Sequence, residues 1–329
     1  MTRFQKLALA TTGALLVLIL AGAVVRATGA GLGCPDWPTC WGCLIPPTHV
    51  DQVDMEKIDI EKFRRKAAAL GRDPSEITAE SLRAEFNPVL TWTEYINRLL
   101  AMPLSLLTLA TLVASFWQFR VRPKVVWASL GAIVLVLANA ILGAWVVYSG
   151  LAPGVITAHL ALALLMLLLL VYITWAGTES PWRREVTRAD SPVRMIGAGI
   201  LLLTLVEGVM GAQVRELTDE LAMSHTGEDR ASWTSELEGS VRYLVHRSFS
   251  WLIFLGTLVF LWFARRDLLG GWGWLEKTIG LLVFSLMVMG VILSQLGVLQ
   301  IVQVLHVFAA SLLVAALVLW ILAVKPARR

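Results

Sequence analysis

Charged side chains are scarce in this chain: Asp, Glu, Lys and Arg make up 16% of its 329 residues. A soluble domain carries roughly a quarter. A cytosolic globular enzyme and a charge-rich disordered scaffold are therefore both excluded. An excess of one sign is also missing. The formal charge of +4 is too small to argue for a nucleic-acid partner. Nor are there the short alternating segments of a membrane β-barrel. What the chain does have is 57% apolar residues in long runs, with a mean hydropathy of +0.70. That leaves an all-α polytopic membrane protein. At about 20 residues per span, eight helices use roughly half the chain.

The runs fall at 7–25, 95–117, 125–148, 155–175, 193–213, 243–263, 275–294 and 301–324. Eight is even, so both termini share a side. Arg3, Lys6, Arg120, Arg122, Lys124, Arg183, Arg184, Arg188, Arg194, Arg265, Arg266, Lys325, Arg328 and Arg329 crowd that side. The short turns opposite, 149–154 and 295–300, hold no Lys or Arg. The positive-inside rule puts both termini in the cytoplasm. Ala21-Gly22-Ala23 resembles a signal cleavage site, but the first run is long for one and its end recurs later, so it stays a span. Two long loops, 26–93 and 214–242, lie outside. Within the first, 58–70 reads as a short surface helix broken at Gly71 and Asp73-Pro74. Fourteen tryptophans against four tyrosines fit interface anchoring: Trp92, Trp117, Trp127, Trp145, Trp175 and Trp182 all fall near run ends.

The chain repeats itself. Gly22-Ala-Val-Val-Arg26 ends the first run as Gly211-Ala-Gln-Val-Arg215 ends the fifth. Asn97-Arg98 opens the second as His246-Arg247 opens the sixth, and His159 in the fourth matches His306 in the eighth. Two four-helix bundles in tandem follow, 1–176 and 177–329. They share one orientation about a pseudo-twofold axis normal to the membrane. The repeat fails at ionisable positions: Glu94 has Tyr243 as counterpart, Asn97 has His246, and Glu207 has Leu18.

His159, His246 and His306 lie about one turn inside the outer edge, where ionisable groups are rare and usually functional. His246 and His306 start helices that enter from the same side, so both imidazoles reach one depth. That arrangement suits axial clamping of one heme iron. The bland alternative is a histidine bonded to a bundle carbonyl; zinc lacks a third and fourth ligand nearby. Arg26 and Arg98 in the first half, and Arg215 and Arg247 in the second, stand where they can pair with heme propionates or snorkel to lipid headgroups. Glu94, one turn before Asn97, is suited to proton transfer or to capping its helix. Glu207 pairs with Arg215 two turns on and receives no role. Cys34, Cys40 and Cys43 sit in an outside loop that permits one disulfide, and spacing does not say which. His49 and His225 read as solvated loop residues.

These motifs together resemble the heme A synthase family. The resemblance rests on Gly22-Ala-Val-Val-Arg26-Ala-Thr-Gly-Ala-Gly-Leu32, Cys34-Pro-Asp-Trp-Pro-Thr-Cys40 and Glu94-Tyr-Ile-Asn-Arg98. Ser149-Gly-Leu-Ala-Pro153 followed by His159, then His246-Arg247 and Leu305-His306, extend it over nearly the whole chain. It implies an eight-span, two-bundle enzyme of the plasma membrane that oxidises the C-8 methyl of heme O to the formyl of heme A. The family's route is two hydroxylations and loss of water. It implies heme b as cofactor on His246 and His306, with Arg215 and Arg247 beside it. Substrate heme O sits near His159, Asn97, Arg26 and Arg98, with Glu94 as the essential glutamate and Cys34–Cys40 as the loop pair. Implied partners are the heme O synthase, a membrane quinol or other electron donor, and the lipid bilayer; homo-oligomerisation is left open. One departure stands out: the family has histidine where this chain has Asn97. The rival readings are a b-type cytochrome that only carries electrons and a non-catalytic heme-handling or oxidase-assembly protein.

Overall fold

Long apolar runs in a membrane fold as helices because every backbone N–H and C=O must then be satisfied within the segment. The computed structural model describes residues 1–69, 73–118, 120–152, 154–188, 190–225, 230–297 and 299–325. Leu70 and Gly71 of the surface-helix boundary, Pro153, and the terminal Arg328 and Arg329 lie outside these. The helices are α1 (Arg3–Thr28), α2 (Ile60–Ala69), α3 (Ala79–Ala84), α4 (Pro88–Ser115), α5 (Pro123–Tyr148), α6 (Val155–Ala176), α7 (Val193–Ser224), α8 (Arg230–Gly239), α9 (Val241–Asp267), α10 (Trp274–Gln295) and α11 (Gln300–Ala323). Among the described residues, eight of them are long and apolar enough to cross a membrane: α1, α4, α5, α6, α7, α9, α10 and α11. The chain is an all-α multi-pass membrane protein.

Several helices outrun their apolar cores, and local chemistry says why. Thr2 and Gln5 close a capping box before α1, which then runs to Thr28 and stops at Gly29 in the left-handed region. Asn87 accepts from the N–H groups of Val89 and Leu90, and Pro88 takes the first helical position, so α4 starts two turns before Tyr95. Asn87 is thus the cap of α4, and Glu94 sits well inside the helix instead of capping it. α7 continues eleven residues beyond 213 as an overhang, helped by the Arg215–Asp219 pair at i,i+4. That overhang and α8 fill most of what the sequence presents as a loop from 214 to 242. The surface helix expected at 58–70 forms as α2.

In residues 1–176, α1 packs on α4, α4 on α5, α5 on α6 and α6 on α1. In residues 177–329 the pairs are α7 with α9, α9 with α10, α10 with α11 and α11 with α7. Contacts between the two sets run through α1, α6, α7 and α11. Their core mixes Ala8, Leu15 and Leu167 with Val314 and Val318 from α11. Threonines tie α1 to its neighbours: Thr11 with Thr111 at 2.9 Å and Thr12 with Thr174 at 3.2 Å. At the end holding the termini, β1 (Arg184–Glu185) pairs in parallel with β2 (Val324–Lys325). Glu276, fully buried there, accepts from Trp320 Nε1 at 2.8 Å and from the Gly273 N–H at 2.6 Å. A carboxylate buried this deeply needs such partners.

Candidate functional site

The packing order puts α4 diagonally across from α6, and α9 diagonally across from α11. Asn97 and His159 therefore stand on opposite corners of one bundle, and His246 and His306 on opposite corners of the other. All four lie near the end that carries the long loop. Each leans on a glycine of a neighbouring helix. A Cβ on Gly143 would meet His159 Cε1 at 3.2 Å, and one on Gly211 would meet His246 Cε1 at 3.2 Å. On Gly290 it would meet His306 Cε1 at 4.0 Å, and on Gly22 it would meet Asn97 Oδ1 at 3.9 Å.

The polar atoms there are not satisfied within the protein. Among the described residues, Nδ1 of His159 and His306 is buried with no hydrogen-bond partner, and so are Asn97 Oδ1 and Asn139 Oδ1; His246 Nδ1 and Glu207 Oε1 lie 3.1 Å apart without hydrogen-bond geometry, and each has no other partner. Unmet polar atoms of this kind are rare in a finished core and call for an explanation. Imidazoles on diagonal helices, each backed by a glycine of a neighbouring helix, are residues that would suit an iron porphyrin held between two helices. The second half offers two imidazoles for that purpose; the first offers one imidazole and one carboxamide.

Glu94 lies one turn before Asn97 on α4, on the same side of the helix. Only 8% of its side chain is exposed, and its Oε1 accepts from Arg98 Nε at 3.1 Å. Arg98 is heavily committed. It donates through Nη1 to the carbonyls of Asp36 and Thr39, at 2.9 and 3.0 Å, and through Nη2 to that of Cys34 at 2.9 Å. Those carbonyls belong to the cysteine loop. In that loop the sulfurs of Cys34 and Cys40 are joined, and Cys43 is unpaired. The loop seats on α4 because Gly33 leaves room: a Cβ there would lie 2.3 Å from the Leu90 carbonyl oxygen. Thr91 and Trp41 both donate to the Gly33 carbonyl, each at 2.9 Å. Glu94 is thus held between a bundle interior and a pinned loop.

The four arginines do not behave alike. Arg26 and Arg215, equivalent in the repeat, meet on one carboxylate: Asp219 lies 2.8 Å from Arg26 and 3.0 Å from Arg215. Arg215 also donates to the Arg26 carbonyl at 2.7 Å. Arg98 is engaged with the loop, whereas its counterpart Arg247 is exposed.

Two pairings differ from the sequence reading. Glu207 does not pair with Arg215. Its Oε1 stands 3.1 Å from His246 Nδ1, because α7 and α9 are packed neighbours and Arg215 turns toward Asp219. His225 is not simply solvated: it stacks on Trp233 and pairs with Glu236 at 3.3 Å where α8 folds back on the end of α7. His49 is exposed, as expected.

Sequence reasoning missed the cradle glycines and Asn139. The signal for two of the glycines was present, since Gly143 precedes His159 and Gly290 precedes His306 by the same sixteen residues. The two cradles respond differently to the same substitution. Gly290→Ala gains helix propensity without a clash and is expected to leave unfolding unchanged or raise its free energy by up to about 1 kcal/mol. Gly211→Ala presses on the His246 ring and is expected to lower it by about 1 kcal/mol. Unfolding of the two variants in detergent compares the signs.

The fold and site define a class: a multi-pass helical membrane protein with histidines on diagonal helices near one end. The family described as cytochrome oxidase assembly protein (COX15-CtaA) matches residues 5–318, and the chain belongs to it. Among its relatives is the heme A synthase of Shewanella oneidensis, 32% identical over 203 residues, covering 59% of this chain and 51% of that one. That of Bartonella tribocorum is 25% identical over 226 residues, covering 66% and 57%. That of Rhizorhabdus wittichii is 25% identical over 321 residues, covering 92% and 88%. The matched region thus spans about half the length of the first two relatives and most of the third.

Proposed function

We propose that the chain is a heme A synthase, an oxidoreductase that converts the C-8 methyl of heme O to the formyl group of heme A. The observation that carries this reading is the asymmetry of two similarly built pockets. One presents His246 and His306 with a carboxylate, Glu207, behind His246. The other presents His159 opposite Asn97, with the buried acid Glu94 on the same helix as Asn97. A carrier of electrons needs the first pocket and gives no reason for the second.

In this reading residues 177–329 hold heme b and residues 1–176 hold the substrate. Heme b, when bound, supplies one-electron redox chemistry. His246 and His306 are the residues that would hold its iron. Glu207, 3.1 Å from His246 Nδ1, is the group that would orient that imidazole, as carboxylates do for ligand histidines. Arg247, exposed, is placed to meet a propionate, and Arg215 stands further along the same rim. His159 binds the substrate iron, and Asn97 offers a carboxamide where a second imidazole would stand. Glu94 holds or moves the proton released as the methyl group is oxidised, with Arg26 and Arg98 at the rim. The Cys34–Cys40 pair keeps the loop over Glu94 in place. Both termini lie in the cytoplasm, the sites face the outer side of the plasma membrane, and a membrane quinol or similar donor supplies electrons. The heme O synthase is the natural source of the substrate.

Purification from a host that makes heme O tests the two-pocket assignment. Mass analysis of the extracted hemes should find heme b together with a farnesylated heme, and His159→Ala should lose only the farnesylated one. Heme b alone in the wild-type protein would favour an electron carrier instead.

A further inference from the structure

The overhang of α7 belongs to the second half, yet it grips the first. Glu216, 7% exposed, accepts through Oε1 from the backbone N–H of Gly154 at 3.0 Å and from the Thr157 hydroxyl at 2.9 Å. Gly154 is the N-cap of α6 and has no side chain with which to cap it. The first N–H groups of a helix need an acceptor and favour negative charge. Here both are supplied by a carboxylate from another bundle. Three residues on, Asp219 takes Arg26 at the end of α1. The overhang thus holds α1 and α6 of the first half at once.

The grip is one-sided. By the repeat, Glu216 and Asp219 correspond to Ala27 and Ala30, and Thr157 corresponds to Val304. Among the described residues, the N-cap of α11, Leu299, has no such side-chain acceptor. The gripped turn is the one that precedes His159: Thr157 lies two residues before it. The bare backbone of Gly143 lets the ring sit close behind it, where a Cβ would lie 3.2 Å from Cε1, so a small displacement of the turn moves the imidazole relative to its cradle.

We propose that Glu216 is a positioning residue for His159, setting the substrate-side imidazole from the heme b half. This rests on the functional reading of His159 above. It means that the two pockets are mechanically joined, the overhang of one half fixing the ligand of the other. A conservative exchange keeps the grip: the amide oxygen of Glu216→Gln still accepts from Gly154 and Thr157, whereas Glu216→Ala removes the acceptor.

The test uses the full chain in detergent as wild type, Glu216→Ala, Glu216→Gln and His159→Ala. Retention of heme O is read beside the low-spin signal of the His246/His306 pair, and amide exchange is followed over residues 154–160. Glu216→Ala should weaken heme O retention about tenfold and speed exchange in that turn by a similar factor. The low-spin signal should be unchanged, and Glu216→Gln should behave as wild type. Wild-type retention in Glu216→Ala, while His159→Ala loses heme O, overturns the positioning role. Parallel loss of both signals also overturns it, in favour of general stability. A His159→Ala variant that retains heme O contradicts the functional reading instead.

Discussion

Glu94→Gln is expected to cut heme A formation by about a hundredfold or more while leaving the heme b signal intact. General acid–base groups contribute that much, and glutamine preserves volume while losing the ability to carry a proton. The surroundings favour a clean result. Among the described residues the carboxylate has one partner, Arg98 Nε, and Arg98 keeps its three loop carbonyls when that contact weakens. The loop should therefore stay seated and the protein should fold. Extracted hemes from membranes of the variant, set against the wild type at equal protein level, give the comparison. If heme A is undiminished, Glu94 holds Arg98 and the loop and has no part in the chemistry.

The second large effect is expected at His306. His306→Ala should abolish the low-spin visible spectrum of the purified protein, because in the proposed function it removes one of the two imidazoles that would hold heme b. The leftover space is lined by Gly290 and α10, which offer no replacement imidazole. His246→Ala should do the same and in addition strand Glu207, whose Oε1 stands 3.1 Å from His246 Nδ1 and which has no other close partner among the described residues. His246→Ala is therefore expected to be the less stable of the two. His159→Ala should leave that spectrum in place. A low-spin signal surviving in His306→Ala would remove the heme b assignment.

The eight spans were legible because hydropathy and length decide them. Their ends were not, because capping does. The start of α4 hangs on Asn87 and Pro88, and α7 runs on through Arg215, Glu216 and Asp219, where hydropathy falls but helix pairing continues. The repeat set His159 beside His306 and Asn97 beside His246, and in the structure each of the four side chains faces a glycine of a neighbouring helix, two of them closely and two loosely. Partners between helices were a different matter. Glu207 and Arg215 are close in sequence and share a helix, yet His246, thirty-nine residues away, is the group Glu207 meets. Arg98 looked like a propionate partner because its motif faces the pocket end; its commitment to the Cys34–Cys40 loop depends on a fold-back that no local pattern announces. The grip of Glu216 on α6 was invisible for the same reason, since it joins residues of two bundles.

The central claim is that one bundle holds heme b so that the other can oxidise heme O. The most direct measurement is the heme composition of membranes from a heme O-making host, with and without this chain, separated and identified by mass. Heme A appearing only with the chain is the expected result. Heme O and heme b alone, from a chain that is folded and shows its low-spin spectrum, would contradict it.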